Sequence, residues 1–190
     1  YILTKKLSIT TCNTCFKTSE TDWMGRMTTI TGSCSCGSII YTLCEPPMFT
    51  HACHCTLCKK ITGSAFIINA MIEGWNFKLA AGVLKSYLGP TGSGQQHIIK
   101  RCNDCGEAIV SYFGNTEHLA VVKVGSLNEP NSLPPQAHVF VDTKLDWVQL
   151  DDGLPQFEAF YDFKSLWPKK SYERLLKVRD KQREQRKVST

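Results

Sequence analysis

Seven cysteines with metal-ligand spacing constrain this chain more than any other feature. Cys34 and Cys36 form a C-x-C, Cys53, Cys55 and Cys58 a C-x-C-x-x-C, and Cys102 and Cys105 a C-x-x-C. A closed structural zinc site takes four protein ligands, whereas a catalytic one often takes three and keeps a position open. Seven sulfurs divide into four plus three. The count alone therefore predicts two zinc ions per chain, one holding the fold and one able to accept a ligand. A disulfide framework is the alternative, since ten cysteines in 190 residues is a moderately rich load. Against it, the chain is long enough to bury a core of its own. Cysteines two or three apart also seldom pair with each other, and C-x-x-C knuckles are ordinary zinc ligands. The first residues lack the basic, apolar and small-residue succession of a leader peptide. The expectation is metal-bound thiols in a reducing, cytoplasmic or nuclear setting.

The charge divides the chain. Residues 164–190 hold ten Lys or Arg against Glu173, Asp180 and Glu184, whereas residues 1–163 carry a slight acidic excess within the overall +5. A basic tail of this kind can meet nucleic acid or an anionic surface. Stacking on bases would call for aromatic platforms among the basic residues, and from Lys169 onward only Tyr172 stands there. A solvated helix end is the expected role, with no nucleic-acid partner. No apolar run approaches a membrane span. Residues 1–26, which include Cys12 and Cys15, read as an N-terminal extension with two free thiols; 27–163 as the zinc-binding domain; and 164–190 as a basic C-terminal helix and tail.

Between the knuckles the signals are mostly strand. Residues 38–43, 65–72, 77–79, 84–88, 96–99, 108–113, 119–124 and 137–141 are short runs rich in β-branched and aromatic residues, with turn signals between them. A glycine-rich turn is expected from Gly89 to Gly94. Many short strands argue a mainly β fold. One helix is expected near the C-terminus, with Pro168 at its start, Tyr172, Leu175 and Leu176 on one face, and a frayed end beyond Val178.

Cys36-Gly37 and Cys105-Gly106 share a detail: each knuckle ends in glycine, the residue that reaches positive φ without penalty. This favours Cys34, Cys36, Cys102 and Cys105 as one structural site, leaving Cys53, Cys55 and Cys58 as the second. Spacing alone also allows Cys55 and Cys58 to join Cys102 and Cys105. Under the first grouping, three thiolates leave one coordination position vacant on a soft centre suited to another sulfur. A thiol bound there is deprotonated by the metal and becomes a nucleophile toward a small carbonyl. The predicted chemistry is the making or breaking of a carbon–sulfur bond on a small thiol. His51 and His54 flank Cys53; His54 is expected beside the metal or facing solvent rather than on it.

These residues resemble the glutathione-dependent formaldehyde-activating enzymes, a family related to centromere protein V. The resemblance rests on Gly32-Ser33-Cys34-Ser35-Cys36-Gly37, on Cys53-His54-Cys55-Thr56-Leu57-Cys58-Lys59-Lys60 with Gly63-Ser64-Ala65-Phe66, and on Cys102-Asn103-Asp104-Cys105-Gly106. It continues through Gly125-Ser126-Leu127-Asn128-Glu129-Pro130, Ala137-His138-Val139-Phe140, Trp147 and Asp152-Gly153-Leu154-Pro155-Gln156-Phe157. Arg101 departs from it, standing where an aromatic residue is common.

The resemblance implies a β-tent fold of two or three small antiparallel sheets, with the four-plus-three zinc grouping. It implies glutathione as co-substrate and formation of S-hydroxymethylglutathione, a carbon–sulfur lyase-class reaction. His138 is then the best acid–base candidate, although a hydrogen-bonded core histidine is the commoner outcome on such a strand. Lys59 and Lys60 could draw in an anionic thiol. Phe66 and Trp147 are expected to pack. The competing function is a non-catalytic module, with both zincs structural and the basic tail on chromatin or another acidic partner.

Overall fold

The computed structural model describes residues 29–89, 91–92 and 94–188. The expected extension 1–26, with Cys12 and Cys15, lies outside them, as do Pro90 and Ser93 of the expected turn. In chain order the elements are β1 (Ile30–Ser33), β2 (Ile40–Leu43), β3 (Phe49–Cys53), α1 (Thr56–Thr62), β4 (Ile67–Glu73), β5 (Phe77–Ala81) and β6 (Leu84–Gly89). There follow β7 (His97–Cys102), β8 (Ala108–Phe113), β9 (Leu119–Lys123), β10 (His138–Val139), β11 (Gln156–Phe157), α2 (Phe163–Leu166) and α3 (Lys169–Val188). The fold is mainly β, with one long C-terminal helix.

The strands form two sheets. One has three strands, in the order β1-β2-β5; the other has eight, in the order β11-β10-β3-β4-β9-β8-β7-β6. Pairing is antiparallel except at β10, which runs parallel to both β3 and β11. The large sheet is buried on both faces at its centre, so β4 reads as a near-continuous apolar run rather than an alternating one. Its register sets the two faces: Ala70 stands opposite Val122, and Met71 opposite Val121. Successive side chains point to opposite sides of a strand. On the first face Ala70, Ile72, Ala120 and Val122 pack with Ile39, Tyr41 and Leu43 of the small sheet. On the second, Met71 and Val121 pack with Phe49, Tyr161, Trp167 and the helical residues Leu175 and Val178.

Helix α3 is longer and more firmly docked than its sequence suggests. The frayed end expected past Val178 is absent among the described residues; the helix runs to Val188. Leu175 and Val178 are buried, but Leu176 is exposed, because it lies about 100° around the helix from Leu175 and misses the sheet. Arg174 grips Glu73 of β4 in a two-pronged pair, Nε to Oε1 at 2.7 Å and Nη2 to Oε2 at 2.6 Å. Burial alone would raise the Glu73 carboxyl, yet these bonds hold it below its ordinary value. Further along, Arg179 covers the Phe163 ring, Lys181 the Trp75 ring, and Gln182 donates to Thr116. No helix among the described residues is long and apolar enough to cross a membrane.

Candidate metal centre

The first cysteine group is assembled from two turns. Cys34 and Cys36 follow β1, and Cys102 ends β7, with Cys105 in the turn after it. Gly37 and Gly106 have φ of +78° and +75°, a region that favours glycine, and each N–H closes its turn, onto the carbonyls of Cys34 and Cys102. The four sulfurs lie within 4.8 Å of one another. Cys34 Sγ is 3.3 Å from Cys36 Sγ and 3.6 Å from Cys102 Sγ, and the Cys36–Cys102 separation is 3.8 Å. A tetrahedron with zinc–sulfur arms of about 2.3 Å spaces its corners by roughly 3.8 Å. The donors and their spacing therefore suit a four-coordinate ion. Ile39 donates its backbone N–H to Cys34 Sγ, which supports a thiolate there.

The second group is assembled from one strand end and one helix start. Cys53 ends β3 and is buried; Cys55 caps α1 and accepts the Cys58 N–H at 3.3 Å. The three sulfurs also lie within 4.8 Å of one another. Hydrogen bonds from Cys53 and Cys58 push the Cys55 thiol down to about 2, while the same interactions push Cys53 up. Three such sulfurs do not all ionise side by side unless a cation joins them, which is the condition a metal would meet. Among the described residues no histidine or carboxylate comes close enough to make a fourth ligand.

The neighbouring residues divide as follows. His54 points into a hydrogen-bond chain that begins in the interior and ends on exposed Asp152: its Nε2 meets His138 Nδ1 at 2.9 Å, and His138 Nε2 meets Asp152 Oδ2 at 2.8 Å. The ring of His54 also stands against Phe66. His54 is therefore neither a ligand nor solvent-facing. Burial first, and then His138, push it down to about 4. His138 is the buried, hydrogen-bonded histidine its strand position suggested. Its bond to Asp152 holds that carboxyl below its usual range. Lys59 donates to the Thr143 carbonyl, and Lys60 is exposed. Trp147 and Phe66, both expected to pack, are exposed, Trp147 to 70%.

Three residues stand beside the cysteine groups in roles that the sequence does not assign; Arg101 is marked there only as a departure from the family pattern. Arg101 donates from Nη1 to the Gly106 carbonyl at 2.9 Å and from Nη2 to the Ile61 carbonyl at 3.4 Å, tying the first group's knuckle to α1 of the second. Lys123, on β9, is buried with Nζ 2.9 Å from Asn69 Oδ1. The charge interactions that act on Lys123 include those with Cys58, Cys53 and Cys55. Asn69 and Lys123 sit on apolar strands where only cross-strand register reveals their neighbours.

Comparison with known proteins adds a family. The profile described as glutathione-dependent formaldehyde-activating enzyme matches residues 29–143. A solved crystal structure of a Rhodobacter sphaeroides protein, a structural genomics target, is similar at 17% identity over 67% of this chain and 98% of that one, with a TM-score of 0.38.

Proposed function

Because this chain belongs to the glutathione-dependent formaldehyde-activating enzyme family, we propose that it is a zinc-dependent enzyme of carbon–sulfur bond chemistry on glutathione or a similar small thiol. The reaction is the joining of the thiol to formaldehyde or another small carbonyl, or the reverse. The observation that carries this reading is the three-sulfur group of Cys53, Cys55 and Cys58, with no fourth side chain to complete it among the described residues. Bound there, a zinc ion supplies Lewis acidity and lowers the pKa of an incoming thiol.

The rest is done by the chain. Cys53 is held by the large sheet, and Cys55 and Cys58 by the first turn of α1, so the donors sit on two rigid elements. The second core surrounds them with apolar side chains, which limits competing water. Val139 accepts the His54 N–H at 3.0 Å, and the Thr143 hydroxyl donates to the His54 carbonyl, so the backbone between two of the donors is fixed from behind. Cys34, Cys36, Cys102 and Cys105 would hold the other zinc, as a structural clip. The docking of α3 favours this reading over a free basic tail, since Arg174, Arg179 and Lys181 are all engaged with the body.

The test compares wild type with Cys55→Ser, measuring adduct formation and cleavage with glutathione and formaldehyde at matched folding. A loss of at least a thousandfold is expected, on the scale of removing a catalytic metal function. Equal rates in the two proteins, or a wild type no faster than the spontaneous addition, would end the proposal.

A further inference from the structure

Sheet register places a buried polar row beside the three-sulfur group. His51 of β3 pairs directly with Asn69 of β4, and Asn69 with Lys123 of β9. Direct cross-strand partners share a face, and Cys53, two residues beyond His51 on β3, shares it too. All three members are buried in a core otherwise built of Met71, Val121 and aromatic rings. Lys123 is the only lysine or arginine among the described residues to be buried.

Such an ammonium is costly to bury and needs compensation. It carries three N–H donors, and among the described residues Asn69 Oδ1 is the one hydrogen-bond acceptor it meets. Asn69 Oδ1 accepts in that contact, and its amide nitrogen adds two N–H donors to the row. His51 bonds through Nδ1 to the Tyr161 hydroxyl at 3.0 Å. The row thus brings the positive charge and remaining N–H donors of Lys123, with the Asn69 amide N–H, to the face that carries Cys53. That composition suits a ligand oxygen, above all one with negative charge, and it disfavours an ammonium or an alkyl group.

We infer that His51, Asn69 and Lys123 form an oxygen-binding subsite beside the three-cysteine centre, with Lys123 as the residue that holds a negatively charged or polarised oxygen one or two carbons from the ligand sulfur. The inference rests on the function proposed above and names the substrate feature that site selects. In carbon–sulfur bond formation the carbonyl oxygen gains charge as sulfur reaches carbon, and Lys123 stabilises that oxygen by hydrogen bonding.

The test uses the full chain loaded with cobalt(II) in place of zinc, titrated with ethanethiol and with thioglycolate and followed by the visible cobalt absorption. Wild type should bind thioglycolate at least about tenfold more tightly, the scale of one charge-assisted hydrogen bond. Lys123→Met should bind both thiols alike, with its ethanethiol affinity within about twofold of wild type. Asn69→Leu, which removes the anchor of the ammonium, should reduce the preference severalfold. Equal binding of the two thiols by wild type overturns the subsite whether or not the variants fold. A preference that survives in Lys123→Met is chelation by the carboxylate and also overturns it. Loss of the second metal ion from Lys123→Met overturns it as well, because Lys123 would then be the counter-charge of the ion. Absence of any spectral response to either thiol overturns the functional reading together with the subsite, whereas equal responses overturn the subsite alone.

Discussion

Cys34, Cys36, Cys102 and Cys105 alternate between buried and exposed, whereas Cys53, Cys55 and Cys58 are buried or half-buried. The first group packs against the core between the two sheets, and the second against the core beneath α3, on the other face of the large sheet. A four-sulfur set saturates its ion, so it can stand at a rim in contact with water. A three-sulfur set does not, so its open position gains from apolar walls that exclude competing ligands. The difference in shelter thus follows the difference in ligand number. Arg101 is the direct link between the two regions.

The comparison breaks first at the cysteines themselves. Cys102→Ser should fail to give folded protein, because zinc binding at a structural site contributes about 10 kcal/mol or more in small zinc domains, as much as a typical domain's whole stability. Cys55→Ser should stay folded and retain one ion. Metal content by elemental analysis together with far-UV circular dichroism checks both, and two equally damaged proteins would erase the asymmetry.

A smaller effect is expected where α3 covers the second core. Arg174→Met leaves the Glu73 carboxylate buried without its partner. It should cost about 2 to 3 kcal/mol in chemical denaturation, less than a fully enclosed pair would, because Arg174 is partly exposed. The pH dependence has a defined sign. Glu73 is held below its ordinary 4.5 in the folded protein, so its pairing stabilises above that value, and the contribution is lost as pH falls through the lowered one. The gap between wild type and Arg174→Met should therefore narrow in acid, and a gap that widened below pH 4 or so would refute the assignment.

The smallest expected effect sharpens the link between the regions. Arg101→Met removes two hydrogen bonds to carbonyls and should cost about 1 to 2 kcal/mol. Both ions should remain, and the one at Cys53, Cys55 and Cys58 should be lost to a chelator severalfold faster than in wild type. Unchanged chelation kinetics at both centres would show that Arg101 serves the knuckle alone.

Much of the fold is legible along the chain. The runs at 84–88, 108–113 and 119–124 correspond closely to β6, β8 and β9, because β-branched clusters between turns are local signals. Strand β3 and helix α1 are not, although they carry the second cysteine group. In β3 all five residues are buried and two of them, Thr50 and His51, are polar, so neither alternation nor an apolar run marks it. Helix α1 has seven residues and a cysteine cap in place of the usual Ser, Thr, Asp or Asn. Leu176 misleads in the opposite direction, since its spacing fits the stripe while its angle points it to water.

Cysteine spacing already gave seven ligands as four and three, and the paired glycines favoured the grouping that the structure brings together, because ligand geometry at a knuckle is written within a few consecutive residues. What waited for tertiary structure was everything that depends on separate strands meeting: the Asp152–His138–His54 chain, the Arg101 bridge, and the row of His51, Asn69 and Lys123. Those neighbours are 18 to 84 positions apart in the chain for every contact outside a single turn but one, His138 with Asp152. Only register and the packing of two cores against one sheet bring them side by side.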